Sequence, residues 1–478
     1  MKEKEISQEG ITVKKEDNMP DWYSQVIAKA ELADFYAVQG FMIIRPNAYA
    51  VWEGIQDYFN KRIWQLGVKN AYFPLLIPES FFQKEAEHAK GFAPEVAWVN
   101  NDEGERLAIR PTSETVMYSM YSQWIRSHRD LPLRINQWCN VVRWEVKQTK
   151  IFLRTREFLW QEGHCVYATE EECEKETLMY LDEYKKLSEE ILAIPVLTGE
   201  KTAKERFAGA KKTLTIEGFM PDGKALQMGT SHNLGQGFAK AFNIKFVGED
   251  EKSHLPWQNS WGFSTRLLGA LVMVHGDNKG LVLPPNIAPV QAVIVPIIFR
   301  KDKESVMKKA SEIKALLKKH KVVIDEREEY SAGWKFNEWE MKGIPLRIEI
   351  GPKDVEKGQV VLVRRDTGEK KFVEDSYITK AVKDMLEDIQ HCMFTKAKKQ
   401  FEESIVEVSS WKEFASAIKE KKLVKALICG EPECEELIKD KTGGATSRCI
   451  DKESGEAKGK CVHCSSPANH YIYFSKSY

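Results

Sequence analysis

Apolar side chains recur at helical spacing early in the chain. The segment from Asn47 to Leu66 is predicted to be an amphipathic helix. Asn47 is a preferred residue type for its N-cap, and Gly67 is suited to end it. The residues from Ala71 to Ile77 then predict a strand, in which Pro74 indicates a sheet edge or an interface. The apolar face of the helix consists of Val51, Ile55, Phe59 and Ile63.

The order of the predicted elements divides the chain into regions. From about Trp22 to Leu283, helices mix with aromatic-rich strands without regular strand–helix–strand alternation. This favours an α+β fold class with an antiparallel sheet flanked by helices. LPPNIAP, from Leu283 to Pro289, is typical of a linker. We therefore expect a charged N-terminal tail at 1–20, a large domain at 21–283, a linker at 284–289, an α/β domain at 290–390 and a small α/β tail domain at 391–478.

Strand and helix patterns alternate after the linker. A buried-type strand from Val290 to Ile298 precedes a helix that has Val306, Ala310, Ile313 and Leu317 on one face. This alternation is typical of a small α/β domain. The other predicted strands are Val322–Ile324, Pro345–Ile350 and Val360–Val363, and the other predicted helices are Phe336–Met341 and Tyr377–Phe401.

Chain length and composition limit the possible classes of protein further. A chain of 478 residues is too long for one hydrophobic core, so about two to four domains are expected. Lysine plus arginine balance aspartate plus glutamate at 71 each, which argues against a coat for bulk nucleic acid. No apolar run reaches the roughly 18 residues of a membrane span, and the charged start lacks the apolar core of a secretory signal. Nine cysteines here are not a disulfide framework, and we expect a cytoplasmic protein without a membrane partner.

The densest chemical pattern is RTREFLWQEGH, from Arg154 to His164. If the part from Arg156 onward is a strand, its period of two places Arg156, Phe158, Trp160, Glu162 and His164 on one face, which is charged and aromatic. Upstream, WCNVVRWEV places Arg143 and Glu145 on a common face of a second strand, and 147–153 can form the connecting loop. Either strand alone fits a solvated hairpin with paired charges equally well. Together they favour a ligand site.

These strings resemble the second signature of class II aminoacyl-tRNA synthetases, and FLRTREFLWQEGH is very close to that of the prolyl enzymes. The resemblance implies that Arg143 contacts the α-phosphate of ATP, Glu145 the adenine amino group and Arg154 the outer phosphates. Phe158 would stack on the adenine, and Thr155 belongs to the same ATP-binding set. Fixed guanidinium groups suit this chemistry, because attack of a carboxylate on the α-phosphate builds negative charge there.

NSWGFSTRLLGALVMVHGD resembles the third class II signature. Gly262, Thr265 and Arg266 match the start of a helix whose arginine binds the γ-phosphate. An isolated arginine on a helix is usually a surface cation, so this assignment depends on the neighbouring motifs. In QMGTSHNLGQ, Gln227 and Thr230 match nucleotide and substrate contacts. The implied catalytic residues are Arg143 and Arg266.

Two strings, IRPTSET and QMGTSHNLGQ, also resemble the family's proline pocket. Thr112 and Glu114 correspond to residues that hold the substrate's ammonium group, although both also suit plain helix capping. His232 matches a pocket residue, although a lone histidine is more often structural. Glu114 and Glu162 would face the secondary amine of proline. The implied proline-binding set is Thr112, Glu114, Arg143, Trp160, Glu162, His164, Phe207, His232 and Ser264.

The α/β region contains GWKFNEWEMKGIPLRIEIGPKD, which is similar to the anticodon-binding domain of the prolyl enzymes. The resemblance implies that Glu340, Arg347, Lys353 and Asp354 read the guanine-rich anticodon of the proline tRNA. Arginine and lysine suit guanine O6 and N7, and single-stranded loop bases expose their edges. An ordinary charged surface would look the same at any one of these positions.

The tail domain contains Cys429-x4-Cys434 and Cys461-x2-Cys464. Four thiolates in paired short spacings suit a tetrahedral structural Zn²⁺, and free buried cysteines are the alternative. Cys449 is left unliganded. Prolyl enzymes of the archaeal and eukaryotic type carry this C-terminal zinc-binding domain. They end in tyrosine, as this chain does, and the resemblance implies that the terminal carboxylate points toward the active site.

The resemblance, from about Trp22 to Tyr478, implies a proline–tRNA ligase. Such an enzyme forms prolyl-adenylate from L-proline and ATP, with Mg²⁺, and transfers proline to the terminal adenosine of its tRNA. A homodimer is also implied, with the helix 47–66 and the Pro74 strand at the interface. A threonyl enzyme would need a zinc in the catalytic pocket, where no Cys/His triad is apparent. A regulatory paralogue would have lost Arg143 or Arg266.

The stretch between the second and third signatures is short. Only 62 residues separate His164 from Gln227, and the part from Glu170 to Leu192 is predicted to be an amphipathic helix. A typical domain has about 100–150 residues. We therefore expect no inserted editing domain of the kind that bacterial-type prolyl enzymes carry.

Overall fold

The computed structural model describes residues 10–86, 95–100, 104–299, 302–452, 454–455 and 458–478. Residues 1–9 of the expected N-terminal tail lie outside this part of the chain. The remainder of the tail is anchored, because Lys15 Nζ donates to the Gly276 carbonyl at 2.7 Å and the first helix begins at Met19.

The first region surrounds a large antiparallel sheet with helices, which confirms the α+β class. Its helices are α1 (Met19–Lys29), α2 (Pro46–Gln65), α3 (Glu79–Ala86), α4 (Glu114–Trp124), α5 (Glu170–Lys186), α6 (Gly237–Ala241) and α7 (Arg266–His275). Its strands are β1 (Ala33–Phe35), β2 (Met42–Ile44), β3 (Lys69–Asn70), β4 (Leu76–Pro78), β5 (Trp98–Val99), β6 (Leu107–Ile109), β7 (Leu133–Val142), β8 (Glu157–Tyr167), β9 (Leu197–Glu200), β10 (Lys212–Met220), β11 (Lys224–Gly235), β12 (Phe246–Val247), β13 (Ser253–His254) and β14 (Trp257–Ser264).

The second region is the predicted α/β domain. Its strands are β15 (Ala292–Pro296), β16 (Val322–Ile324), β17 (Leu346–Ile350), β18 (Gln359–Arg364) and β19 (Lys370–Glu374), and its helices are α8 (Lys303–Leu316), α9 (Ala332–Met341), α10 (Pro352–Lys357) and α11 (Ile378–Ser404). They form a five-stranded sheet in the order β16-β15-β17-β18-β19. The predicted apolar face of α8 is buried in its core, whereas β19 and α10 were not predicted.

The tail region consists of β20 (Ile405–Val408), α12 (Trp411–Lys419), β21 (Leu423–Ile428), α13 (Pro432–Thr442), β22 (Thr446–Asp451), β23 (Gly459–Lys460), β24 (Pro467–Ala468) and β25 (His470–Ser477). β23 and β24 form a separate two-stranded sheet, and the other four strands continue the large sheet, which has eleven strands in the order β20-β21-β25-β22-β9-β10-β11-β14-β8-β7-β3. The end of β25 also pairs in parallel with the start of β11. The tail is therefore joined to the first region by backbone hydrogen bonds.

Three local predictions were wrong in detail. The N-cap of α2 is Arg45, because Pro46 occupies the first helical turn, and the Asn47 amide donates instead to Ala30 O at 3.0 Å. No strand runs from 71 to 77. β3 pairs with β7, and the chain then leaves that sheet around Pro74 and enters β4 of a three-stranded sheet. Proline lacks the N–H that a continuous ladder requires.

The hairpin of β7 and β8 also differs from its prediction. β7 ends at Val142, so Arg143 and Glu145 lie in the loop that follows it and not on the strand. Arg156 also precedes β8. Its Nε donates to Val146 O at 2.9 Å, and its guanidinium lies 4.7 Å from the Trp144 ring. The remaining alternation, at Phe158, Trp160, Glu162 and His164, is confirmed within β8.

The expected linker is not an exposed connection. Ile287 and Ala288 are buried in the core of the first region, and the Asn286 side chain donates to Glu190 O at 2.9 Å. Buried apolar side chains give this short segment a defined position. Where one domain ends and the next begins thus stays a prediction.

Candidate active site

A cavity of about 410 Å³ opens on one face of the large sheet. Its floor is formed by β8, β11 and β14, and its rim by the loop after β7 and the start of α4. Every residue predicted for ATP or proline binding lines this one cavity. These residues are Thr112, Glu114, Arg143, Glu145, Arg154, Thr155, Phe158, Trp160, Glu162, His164, Phe207, Gln227, Thr230, His232, Ser264 and Arg266.

The floor is held flat by close packing beneath it. On β8, Gly163 points away from the cavity, and a Cβ built there would lie 2.1 Å from the Trp261 ring of β14. Trp261 in turn stacks on Tyr180 of α5, with ring centroids 4.0 Å apart. Only glycine lets these two strands and α5 approach so closely.

Two arginines, Arg143 and Arg266, line the cavity. The Arg143 guanidinium rests against two aromatic faces, 5.3 Å from the Phe158 centroid and 5.4 Å from the Trp160 centroid. Arg266, at the start of α7, donates to Leu153 O at 3.0 Å and to Gln227 O at 3.1 Å. Burial lowers the pKa of both groups, to about 10 for Arg266, where the nearby charge of Arg143 adds to the effect. The two cations form a pocket of positive charge suited to phosphate.

A cluster of carboxylates and an imidazole also lines the cavity. Glu162 accepts from Ser113 Oγ at 2.5 Å, Gln137 Nε2 at 3.0 Å and His164 Nε2 at 3.2 Å. Burial alone would raise the pKa of Glu162, but these donors outweigh it and lower the pKa. Burial disfavours the imidazolium of His164, yet the hydrogen bond to Glu162 and the nearby charge of Glu114 raise its pKa.

The charges of this cluster favour a cationic ligand. Glu114, Glu162 and His164 bring their polar atoms within 4.8 Å of one another. His164 also pairs through Nδ1 with the Tyr118 hydroxyl at 3.0 Å, so both ring nitrogens are engaged and neither is left for a metal. The two carboxyl groups are suited to bind an ammonium group.

The wall next to this cluster is aromatic. The ring of Phe207 lies 4.7 Å from the ring of His232. Thr213 Oγ1 lies 3.0 Å from His232 Nδ1, and burial lowers the pKa of this histidine to about 3. His232 is therefore neutral and forms a flat side to the cavity.

Comparison with known proteins covers nearly the whole chain. A model of the class II core domain of tRNA synthetases (G, H, P, S and T) matches residues 97–275, a model of the anticodon-binding domain matches 291–385, and a model of the prolyl-tRNA synthetase C-terminal region matches 411–478. The proline–tRNA ligase of Alkaliphilus oremlandii is 51% identical over 100% of this chain and 99% of its own length. That of Natranaerobius thermophilus is 52% identical over 98% of each chain. The chain belongs to the prolyl-tRNA synthetases.

A solved structure supports the same assignment. The prolyl-tRNA synthetase of Cryptosporidium parvum, in complex with L-proline and AMP, superposes with a TM-score of 0.92 at 43% identity, covering 98% of this chain and 99% of that one. This prolyl-tRNA synthetase is thus a proline–tRNA ligase with proline, ATP and tRNA as substrates. Among the residues that the structure describes, no helix is both long enough and apolar enough to cross a bilayer.

The tail of this prolyl-tRNA synthetase brings four thiols together. Cys429, Cys434, Cys461 and Cys464 place their sulfurs within 4.8 Å of one another. Cys429 and Cys464 are 3.6 Å apart, and Cys434 and Cys461 are 3.8 Å apart. Cys449 is buried on β22 and lies outside this cluster.

The predicted anticodon residues differ in their surroundings. Arg347 is buried and donates to Glu349 at 3.0 and 2.9 Å and to Glu340 at 3.1 Å, and its guanidinium lies 4.1 Å from the Phe336 ring. Asp354 Oδ2 accepts from the Gly351 N–H at 2.9 Å at the start of α10. Lys353, beside it, is exposed. Three of the four side chains thus have structural partners within the domain.

Several residues that support the site could not be recognised in the sequence. Ser113 lies inside the string IRPTSET, but nothing marked it as a donor to Glu162. Gln137 comes from β7, and Tyr118 from the buried face of α4. Glu205 also lines the cavity and was not predicted, although it lies in KERFAGA, the string that supplied Phe207. These side chains converge only when the strands are assembled.

Proposed function

We propose that the cavity binds ATP at its arginine end and L-proline at its carboxylate end, and forms prolyl-adenylate between them. One observation carries this proposal: sixteen residues from six segments of the chain line the same cavity, where arginines and carboxylates face one space. Catalysis in such a site is mostly positioning and charge stabilisation, and needs no nucleophilic side chain.

At the nucleotide end, Arg143 would contact the α-phosphate, and Arg266 and Arg154 the outer phosphates. Phe158 presents an aromatic face for adenine, and Glu145 a carboxylate for its amino group. Thr155, Gln227 and Thr230 complete the proposed ATP-binding set.

We also propose that Mg²⁺ enters with the nucleotide. Phosphate oxygens with one or two carboxylates are its preferred ligands, and Glu145 places a carboxylate on the cavity wall. The ion would supply further positive charge next to the phosphates. The phosphate contacts themselves are assigned to the arginines.

At the proline end, the secondary ammonium would lie between Glu114 and Glu162. Glu162 is held in place by Ser113, Gln137 and His164, so it needs little reorganisation on binding. Trp160, Phe207 and His232 supply flat surfaces for the pyrrolidine ring, and Thr112 and Ser264 border the slot.

The decisive experiment is pyrophosphate exchange into ATP, measured with each of the twenty amino acids. We expect the highest kcat/KM with proline, because only a cyclic secondary amine uses both the carboxylate pair and the aromatic slot. A higher kcat/KM with another amino acid would refute the assignment of the slot.

We propose that the four thiolates of Cys429, Cys434, Cys461 and Cys464 hold a structural Zn²⁺. Their mutual distances of 3.6 and 3.8 Å suit sulfurs around one tetrahedral ion, and four protein ligands leave no open position for catalysis. This site would make the tail the zinc-binding domain of the archaeal and eukaryotic type. The two relatives above are bacterial, so the type describes an architecture and not a source.

We propose that this enzyme lacks an editing domain in cis. The structure describes every residue between His164 and Gln227, and the helix and strands there, α5, β9, β10 and the start of β11, belong to the large sheet or pack on it. A slot that fits proline discriminates against alanine weakly, since one methylene is worth about 1–3 kcal/mol. The ester of alanine-charged proline tRNA should be hydrolysed no faster in the presence of the enzyme than in its absence. Faster hydrolysis would reveal an editing site.

A homodimer and a cytoplasmic location complete the proposal. Next to the end of α2 and to β3, Trp64 and Tyr72 are 77% and 72% exposed, which is unusual for large aromatic side chains. Burial against a second copy would explain this exposure, and Trp64→Glu should then shift the mass measured by light scattering toward the monomer. All nine cysteines are unpaired, which suits a reducing compartment.

A further inference from the structure

A buried ion cluster joins the tail to the wall of the cavity. Lys201 Nζ donates to Glu217 Oε1 at 2.6 Å, and their side chains are only 2% and 1% exposed. Arg448, on β22 of the tail, places its guanidinium 3.7 Å from the other oxygen of Glu217 and 3.6 Å from Glu205. Three of these residues belong to the catalytic region, and the fourth is contributed by a strand more than two hundred positions away.

A second contact lies next to this cluster. Glu435, on α13 of the tail, accepts from Thr202 Oγ1 at 3.0 Å and from Ser447 Oγ at 2.6 Å. Burial raises the pKa of Glu435, and the hydrogen bonds from Ser447 and Thr202 oppose this effect. Lys204 pairs with Glu436 of the same helix. The segment from 201 to 205 is therefore tied to the tail at successive positions.

This segment continues directly into the wall of the proline end. It leaves β9 at Glu200 and carries Glu205 and Phe207, both of which line the cavity. Within the segment the backbone forms local turns, such as Glu205 N to Thr202 O at 3.1 Å. Its two ends also bond to Thr213 of β10, from Lys201 N to Thr213 O at 2.8 Å and from Phe207 N to Thr213 Oγ1 at 3.0 Å. Local turns alone do not determine where a loop lies relative to a sheet. The bonds to Thr213 hold the two ends of the segment, and the side-chain contacts with the tail hold its middle, at Thr202, Lys204 and Glu205.

We infer that Arg448 and Glu435 of the tail are positioning residues for the amino-acid pocket, which they hold closed through the segment 201–207. The inference rests on the proposed proline site. Removing Arg448 would leave Glu205 without its cation and Glu217 with Lys201 alone, and a buried charge that loses a partner drives local rearrangement. The loop would then move, and the slot next to His232 would widen. Proline would lose contacts that a smaller amino acid never made.

The test is pyrophosphate exchange by the full-length zinc-loaded enzyme carrying Arg448→Met. We expect the KM for proline to rise about tenfold, within the range of coupling between contacting residues, while the KM for ATP changes less than about twofold. The ratio of kcat/KM for alanine to that for proline should rise as well. Lys412→Met is the matched control, since it removes an exposed cation from α12, a different helix of the tail.

A double-mutant cycle separates positioning from general destabilisation. If Arg448 acts through Glu205, then Arg448→Met combined with Glu205→Gln should raise the KM for proline no further than the larger single change. The inference would be overturned if the double mutant raised the KM for proline by the product of the two single factors. A folded Arg448→Met enzyme whose KM for proline stays within twofold of wild type, or whose KM for ATP rises equally, would also overturn it.

A milder variant covers the case in which Arg448→Met does not fold. Thr202→Val removes one hydroxyl and no charge, and should raise the KM for proline about two- to threefold with an unchanged KM for ATP. An unchanged KM for proline would again overturn the inference. If the wild-type enzyme itself failed to activate proline, the proposed function would be at fault and not this contact.

Discussion

Arg143 presents most of its guanidinium to the cavity. The group has five N–H donors, and within the described part of the chain its side-chain hydrogen bond is that of Nε to Pro111 O, at a long 3.4 Å. Phe158 and Trp160 support it by their ring faces. Burial lowers its pKa, and the charges of nearby glutamates partly restore it. The cation is thus already desolvated and oriented, as a phosphate contact in the transition state requires.

Replacing this arginine should reduce the rate and not the stability. For Arg143→Ala we expect kcat of proline-dependent pyrophosphate exchange to fall about 10²–10³-fold, equivalent to roughly 2.7–4 kcal/mol, which is typical for one preorganised donor. The melting temperature should not fall, because the change removes a desolvated cation that has few protein partners. The kcat of Arg143→Lys should lie between those of wild type and Arg143→Ala, since lysine keeps the charge but lacks the planar guanidinium.

The control is Arg126→Ala, at an exposed arginine just after α4. It should leave both kcat and the melting temperature close to wild type. The reasoning would be refuted by a folded Arg143→Ala enzyme whose kcat stays within tenfold of wild type, because the charge could not then be used in the transition state.

Three other predictions follow from the remaining sites. Elemental analysis should find about one Zn²⁺ per chain, and Cys429→Ser should lower the melting temperature more than the rate of proline activation; protein free of zinc would contradict this. Lys353→Met should weaken tRNA charging and leave proline activation intact, whereas Arg347→Met should also destabilise the protein, because the buried carboxylate of Glu349 would keep only Lys370 as its partner among the described residues; parallel loss of activation and charging would contradict the first expectation. The raised pKa of His164 should stabilise the folded protein most below its unfolded pKa near 6.5, and this contribution should be lost as the pH rises through the folded value. The difference in melting temperature between wild type and His164→Gln should therefore shrink toward alkaline pH, and a difference independent of pH would contradict the assignment.

Local pattern predicted the elements of the site well. The alternation on β8 placed Phe158, Trp160, Glu162 and His164 on one face, because the side-chain period of a strand follows from backbone geometry alone. α5 was predicted for the same kind of reason, and its start is marked by the Thr169 capping box. Predictions failed where a neighbour decides the outcome. The chain leaves one sheet near Pro74 and enters another. Which sheet β3 and β4 join depends on the positions of their partner strands, β7 and β6.

The amino-acid sequence was sufficient to predict the alternation of side chains along β8, and its resemblance to the family implied which ligands that face binds. It also placed the four tail cysteines at spacings suited to one metal. The pairing of β22 with β9 is visible only in the folded structure, and it brings Arg448 to Glu205 and Glu217. Contacts between residues so far apart in the chain depend on how whole sheets assemble, and no period or spacing in the sequence records that assembly.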